Sequence, residues 1–430
     1  MKLSKYNYFI EKNGKIICYN TLQDTMLVFS DKAYQLLSDS LDEFRQRYPK
    51  NYDTMVEEKV LIDDDVDELA EVRLRNKREA WLNRKLDLTV LPSMDCNLRC
   101  WYCFEDHVPE SRMSEEIQRR IVRYVEKRVE NGEINALHLE YFGGEPLLDF
   151  DRIAYPLGLA LKNVMESHKL PFSCFFVTNS SLMDEAMIEK LAQLNPGFQI
   201  TIDGNAARHD KIRFRKSDGS GTYHSIIRNI HLLTTRLPKT FVNIRINYDE
   251  QTLKHIDELL EDLKDIDRGK VGVHFERVWQ TSAHTQSNED LKRVVNHFMS
   301  QGFRVSYINW HARGCACKAD RYHSLAVNYD GKVYKCTGRS YTEQNSDGEL
   351  NAEGDVVWKP GRLEKRLGKA TFENPMCLAC KMLPVCMGPC NQKILESDPE
   401  RLKEVCTLGK LEMKMEEYIE YVLNNKMISV

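Results

Sequence analysis

No apolar run in this chain approaches the ~18 residues that a membrane-spanning helix needs, so no spanning segment is expected. The first residues, Met1 to Lys12, are polar and broken by charge, which does not fit an export signal. An excess of positive charge is also missing. The formal net charge is −4, which argues against a dominant nucleic-acid surface. Without an export signal, the thirteen cysteines are expected as reduced thiols that bind metal and not as disulfides, in a cytoplasmic protein. What remains is 430 residues, 42% hydrophobic and 29% charged, the balance of a soluble globular protein long enough for two or three domains.

The cysteines are unevenly spread. Cys96-Asn97-Leu98-Arg99-Cys100-Trp101-Tyr102-Cys103 carries three of them, spaced C-x3-C-x2-C. A four-iron, four-sulfur cubane needs one ligand per iron, so three thiolates leave one iron open to a substrate or cofactor. The alternative is a zinc site completed by a distant residue, although a zinc knuckle usually opens with C-x2-C alone. The spacing, with Tyr102 before the last cysteine, resembles the radical SAM (S-adenosylmethionine) enzymes. The resemblance implies that Cys96, Cys100 and Cys103 hold a [4Fe-4S] cluster whose open iron binds SAM. An electron from the cluster then cleaves SAM to a 5′-deoxyadenosyl radical.

The surrounding pattern fits an α/β fold. Leu86, Leu88 and Val90 alternate as a strand leading into the cysteine loop. Strand and helix signals then alternate to about residue 310, with Ser114 as a helix cap and one helix expected over Leu253 to Leu263. About six such units predict an open barrel, a partial (βα)6 barrel, with its site at the strands' C-terminal ends. Gly143-Gly144-Glu145-Pro146 closes the second strand, and its glycines permit close backbone approach to a ligand. It matches the family's GGEP motif, which implies that its backbone and Glu145 hold the SAM amino group. Thr178-Asn179-Ser180-Ser181 stands where the family has a Thr-Asn-Gly turn, so Asn179 and Ser181 are further SAM candidates and Ser180 is a departure. Asp203 and Arg213 are candidates for the SAM ribose or carboxylate. Their other reading is a turn cap and a local ion pair. Arg245, alternating with Asn247 on one strand face, is expected to point at SAM. Cys18 and Cys174 are read as core residues, and Trp101, Trp279 and Trp310 as packing.

Ahead of the barrel, Tyr8, Ile10, Ile16 and Tyr19 flank Asn13-Gly14, a type I′ hairpin signal. Met26 to Phe29 is a third strand, and Ser30 or Asp31 caps the first of about three short helices. The acidic run Asp63-Asp64-Asp65 is read as a linker. Three strands followed by short helices resemble the winged-helix leader-binding domain of enzymes that modify ribosomal peptides. The alternative is a cap that only shields the barrel edge.

Behind the barrel lie Cys315-Ala316-Cys317, Cys336, then Cys377-x2-Cys380-x5-Cys386-x3-Cys390, and Cys406. By itself a C-x2-C near two more cysteines also fits zinc. The full order resembles the SPASM domain, which carries two auxiliary iron–sulfur clusters. The resemblance implies Cys315, Cys317, Cys336 and Cys390 around the first, where either both Cys315 and Cys317 ligate or one of them does and an iron stays open to a substrate thiolate, and Cys377, Cys380, Cys386 and Cys406 around the second. Three domains are expected: 1–85, a leader-binding module; 86–310, the radical SAM barrel; and 311–430, the SPASM domain. The function expected from the resemblance is maturation of a ribosomally made precursor peptide with SAM and three [4Fe-4S] clusters, fed by an electron donor such as flavodoxin or ferredoxin, with no nucleic-acid or membrane partner. The alternatives are an anaerobic sulfatase maturase and a non-enzymatic iron–sulfur carrier.

Overall fold

The computed structural model describes residues 1–278, 280, 288–307, 314–397, 403–408 and 415–428, so Trp279 and Trp310 lie outside the described residues. The chain divides into two compact units. One comprises residues 1–83, 309–322 and 364–420, the other residues 84–308, 323–363 and 421–430.

The first unit begins with β1 (Lys2–Leu3), β2 (Asn7–Lys12), β3 (Lys15–Asn20), β4 (Thr25–Ser30) and β5 (Leu61–Ile62). β2, β3 and β4 form an antiparallel sheet, and β1 pairs with β5. Asn13 and Gly14 both take positive φ, 52° and 67°, as a type I′ turn between β2 and β3 requires. The Ser30 side chain accepts a hydrogen bond from Ala33 N at 3.3 Å and caps the helix Asp31–Asp39; Ser40 caps Leu41–Arg47 in the same way. With the helix Pro49–Glu57, these elements enclose a core around Cys18, Phe29, Leu37, Phe44 and Met55, so Cys18 is a packing residue.

After the exposed acidic run comes an element the linker reading did not include. Asp67 caps a helix, Glu68–Lys77, that runs on as a π-turn over Arg78–Leu82. Val72 on this helix shares a core with Tyr6, Leu22, Phe372, Cys377, Leu383 and Met387. Arg73 grips Glu373 with two hydrogen bonds of 2.7 and 2.9 Å.

The second unit holds β6 (Lys85–Val90), β7 (Ala136–Tyr141), β8 (Phe172–Thr178), β9 (Gly197–Thr201), β10 (Val242–Tyr248), β11 (Val271–Arg277) and β12 (Arg304–Ser306). They lie side by side in sequence order, every neighbouring pair parallel. This is the strand order of an open (βα) barrel. β13 (Ser324–Val327) adds parallel to β6, and β14 (Lys332–Tyr334), β15 (Gly348–Leu350) and β16 (Val356–Trp358) extend that edge antiparallel.

Alternation sorts the strand faces. Leu137, Leu139 and Tyr141 of β7 are buried, while His138 and Glu140 point the other way. Ser114 caps the helix Glu115–Glu130, and Cys174 is buried in β8, both as expected. The single helix expected over Leu253 to Leu263 is instead two, Glu250–Lys254 and Glu258–Asp262. Ile256, 0% exposed, turns inward at the break, so burying an apolar side chain overrides helical continuity. Among the described residues no helix is long and apolar enough to cross a membrane.

Candidate functional site

The cysteine loop leaves the C-terminal end of β6 and is pinned from two sides. On one side Gly144 N–H donates to Ser93 O at 3.1 Å and Glu145 N–H to Asp95 O at 2.9 Å. On the other, Arg99 N–H donates to Phe214 O at 3.1 Å, Lys216 N–H to Asn97 O at 2.9 Å, and Leu98 forms an antiparallel bridge with Arg215. The two glycines are needed for this contact. A Cβ on Gly144 would sit 2.1 Å from Asp95 O, and one on Gly143, whose φ is +105°, would sit 2.5 Å from Ser93 O. Their closest neighbour is the loop's own backbone.

Glu145 is 1% exposed, and its carboxylate is filled by protein donors: Thr178 Oγ1 at 2.6 Å, Leu147 N at 3.0 Å and Asn179 N at 2.8 Å. Burial raises its pKa, and these hydrogen bonds oppose the rise. It joins the loops that follow β7 and β8. Asn179 and Ser181 meet the cysteine loop: Asn179 Nδ2 donates to Asn97 Oδ1 at 2.9 Å and lies 3.8 Å from Cys96 Sγ, and Asn97 Nδ2 donates to Ser181 Oγ at 2.9 Å. Ser180 keeps the left-handed backbone of the glycine it replaces, with φ 54°, and its buried Oγ has no hydrogen-bond partner.

The centre of the site is a residue whose hydroxyl the motif does not explain. Tyr102 donates to Asp203 Oδ2 and accepts from Arg213 Nη1 at 2.8 Å and Asn247 Nδ2 at 3.0 Å. One donor and two acceptors saturate a phenol oxygen, so three separate segments close on the cysteine loop at one atom. Asp203 and Arg213 also pair at 3.7 Å. Local pairing does not use all of either group: Asp203 Oδ1 and Arg213 Nε are buried with no hydrogen-bond partner. Burial raises the Asp203 pKa, with Arg213 and Tyr102 opposing the rise.

Arg245 Nε donates to Asn247 Oδ1 at 2.9 Å. Two residues of β11 extend this row. His274 lies opposite Arg245 and Glu276 opposite Asn247 in register, and His274 Nε2 is 3.2 Å from Glu276 Oε2. Their alternation in the sequence is the same signal that singled out Arg245 and Asn247. His209, 0% exposed, accepts from Asp203 N–H through Nδ1 at 3.2 Å, and its Nε2 meets Thr222 Oγ1 at 3.1 Å. That pattern assigns the neutral Nε2–H tautomer. Burial and then Arg213 push its pKa well below the usual value.

The three loop thiols are neighbours whose charges act on one another. Burial pushes Cys96 up to about 12, aided by Glu145, and Cys103 up to about 11, while Cys100 is raised against the pull of Arg213. Metal binding by these thiols therefore releases protons. Trp101 corrects the packing expectation: it is 52% exposed. Its backbone lies in a turn whose inward direction is taken by Tyr102.

Among the tail cysteines, Cys377, Cys380, Cys386 and Cys406 lie in the first unit and also sense one another's charge. Cys315, Cys317 and Cys390 lie in the first unit and Cys336 in the second. Asn391 Nδ2 reaches Asp320 Oδ1 at 3.0 Å, and Asp320 Oδ2 in turn accepts from Cys317 N. Among the described residues no three His, Cys, Asp or Glu side chains converge tightly enough to form a metal group. Charge acts over several ångströms, whereas an iron–thiolate set requires bonding distance, so the two observations agree.

Residues 90–263 match the Radical SAM superfamily, and this segment is a radical SAM domain. The radical SAM cyclopropyl synthase TigE of Paramaledivibacter caminithermalis is 21% identical over 337 residues, 70% of this chain and 67% of that protein. A cysteine-type anaerobic sulfatase-maturating enzyme of Clostridium novyi is 26% identical over 190 residues, 42% of this chain and 48% of that protein. Two solved structures share the fold. AdoMet-bound anSMEcpe has a TM-score of 0.59 at 19% identity, covering 80% of this chain and 98% of its own. Streptococcus suis SuiB bound to precursor peptide SuiA has a TM-score of 0.54 at 15% identity, covering 94% and 99%.

The superfamily implies SAM and a [4Fe-4S] cluster. The residues present fit both. Three free thiols on one pinned loop suit a cluster, and the unpartnered Asp203 Oδ1 and Arg213 Nε are an acceptor and a donor left for a polar ligand.

Proposed function

We propose that this protein is a radical SAM peptide maturase of the SPASM type. The observation that carries the proposal is the three-cysteine loop clamped at the strand ends beside the half-used Asp203–Arg213 pair. Cys96, Cys100 and Cys103 hold the cluster. When bound, the cluster and SAM supply a 5′-deoxyadenosyl radical that takes a hydrogen atom from the substrate. The chain's own residues bind and orient. Asp203 Oδ1 and Arg213 Nε receive SAM hydroxyl or carboxylate groups, joined by the backbone at Gly143 and Gly144 and by Arg245. Tyr102 keeps the loop in place. In the tail, Cys377, Cys380, Cys386 and Cys406 hold one auxiliary cluster, and Cys315, Cys317, Cys336 and Cys390 the other; this ligand set is the one that the SPASM resemblance implies.

Residues 1–85 bind the leader of a precursor peptide in a winged-helix-like module. The sheet order leaves the outer edge of β4 without a strand partner among the described residues. The β2 edge is contacted by Lys381, which donates to Asn7 O at 3.0 Å. A leader strand therefore adds to β4, with backbone hydrogen bonds giving affinity. SuiB, solved with its precursor peptide, shares the fold.

The second reading is formylglycine formation on a sulfatase, favoured by the likeness to the anaerobic sulfatase-maturating enzyme of Clostridium novyi. One experiment separates them. Iron-reconstituted protein is incubated anaerobically with SAM, a reductant and either a ribosomal precursor peptide or a sulfatase peptide. The first reading expects 5′-deoxyadenosine together with a mass change in the precursor. Formylglycine in the sulfatase peptide with an unchanged precursor would establish the second.

A further inference from the structure

Tyr6 is 0% exposed, and its hydroxyl is buried without a hydrogen-bond partner. A buried polar group gives up its bonds to water, so leaving it unpaired costs stability, and phenylalanine would fill the same space without that cost. The hydroxyl therefore needs a reason to be there.

The ring is held in place from its backbone. Tyr6 N–H donates to Ser4 Oγ at 3.1 Å, and Tyr6 O accepts from Thr21 N–H at 3.1 Å. The side chain packs in one core with Cys377, Leu383 and Met387 of the cysteine tail. Two bonds tie the same segment to the residue after Cys380: Thr21 Oγ1 donates to Lys381 O at 2.5 Å, and Lys381 Nζ donates to Asn7 O at 3.0 Å. All of these residues belong to the first unit.

The charged groups near enough to act on the phenol are Glu68, Asp67, Cys380 and Arg73. Three of them are engaged elsewhere. Glu68 accepts from Ser4 Oγ and from Lys5 N–H, Asp67 caps its helix by accepting from Ala70 N–H, and Arg73 holds Glu373. The neighbour that remains is sulfur. Burial, ahead of any of these charges, raises the phenol's pKa, so at neutral pH the oxygen keeps its hydrogen as a donor. Around it, Cys406 acts on Cys377 and Cys380, and these two act on Cys386. Four thiols within reach of one another's charge and an orphaned donor beside them fit an iron–sulfur cluster.

We propose that the Tyr6 hydroxyl donates a hydrogen bond to a sulfur of the cluster held by Cys377, Cys380, Cys386 and Cys406, and so raises that cluster's reduction potential. The proposal rests on the reading of these four cysteines as cluster ligands. The reduced cluster carries one more negative charge, so a donor to its sulfur stabilises the reduced state more than the oxidised one. Tyr6 lies in the segment that enters β2, so the N-terminal sheet contributes to the surroundings of a cluster whose ligands all lie more than 370 residues further along the chain.

The test is a potentiometric titration with dithionite, followed by electron paramagnetic resonance, on the reconstituted full-length protein. Cys380→Ala and Cys386→Ala identify this cluster's signal by its loss. Tyr6→Phe is expected to shift the reduction equilibrium of that signal about tenfold towards the oxidised state, a fall of about 59 mV for one electron, at wild-type iron content. Tyr19→Phe removes a hydroxyl that donates to Asp24 at 2.9 Å in the same module, and it is expected to leave the potential unchanged. A potential that does not fall in Tyr6→Phe would overturn the donor role while leaving the ligand set intact. So would an equal fall in Tyr19→Phe, or a loss of iron from Tyr6→Phe, since either means a structural effect. A wild-type protein with no signal that the two cysteine variants remove would overturn the ligand set itself, and the donor role with it.

Discussion

The loop from Cys96 to Cys103 runs among hydrogen bonds from three other segments, whereas the tail from Cys377 to Cys406 runs through helices of four to six residues. Helices that short do not stand alone, because one or two turns cannot repay the cost of nucleation. The loop has Gly143, Gly144, Asn179, Tyr102 and the Leu98–Arg215 bridge to define its path before any metal arrives. The tail has caps, such as Asn374 Oδ1 accepting from Cys377 N at 3.0 Å, and a small apolar core. One region is organised by protein contacts; on the proposed reading the other depends more on what its cysteines bind.

Metal removal should expose that contrast most strongly. Chelation of the reconstituted protein is expected to abolish amide-exchange protection around residues 375–408 while β6 to β11 stay protected. Hydrogen exchange with mass spectrometry reads this directly, and equal loss in both regions would erase the distinction.

A substitution at the pinned side comes next. Gly144→Ala puts a methyl 2.1 Å from Asp95 O, so the backbone must move. A cost of about 1–3 kcal/mol is expected, together with loss of the loop cluster but not of tail iron. Thermal melts and iron counts check it.

Tyr102→Phe is gentler in shape and removes only a hydroxyl. It strands Asp203, Arg213 and Asn247 without their shared partner, at about 1–3 kcal/mol. SAM affinity is expected to fall while tail iron stays unchanged. A Phe variant with wild-type SAM binding would show that the loop does not need its hub.

The smallest effect runs the other way. Ser180→Gly relieves a left-handed backbone and removes a buried, unpartnered hydroxyl, and about 1 kcal/mol of stabilisation is expected in a denaturant titration.

The sequence was most legible where structure is local. Asn13-Gly14 defined a hairpin, Ser30 and Ser114 defined helix starts, and the three-cysteine spacing marked the loop. The strand alternation that placed Arg245 and Asn247 on one face held in the register of β10 and β11. What escaped depends on long-range contact. The Tyr102 hydroxyl finds Asp203, Arg213 and Asn247 at sequence separations of 101, 111 and 145 residues, and no local pattern encodes such a meeting. The helix Glu68–Lys77 escaped because charged residues fill half of its positions and hide its apolar spacing. Glu145 reads as a ligand by motif, yet its oxygens are taken by donors from two other loop positions and its own turn.

Everything proposed for this chain depends on the cysteine loop as a radical SAM centre. Its most direct test is 5′-deoxyadenosine formation from SAM, measured anaerobically with dithionite for the reconstituted wild type and for the triple Cys96→Ala, Cys100→Ala, Cys103→Ala variant. The expected result is cleavage by the wild type and none by the triple variant, which should lose about four irons and keep those of the tail. A folded triple variant that still cleaves SAM, or a wild type that never does, would contradict it.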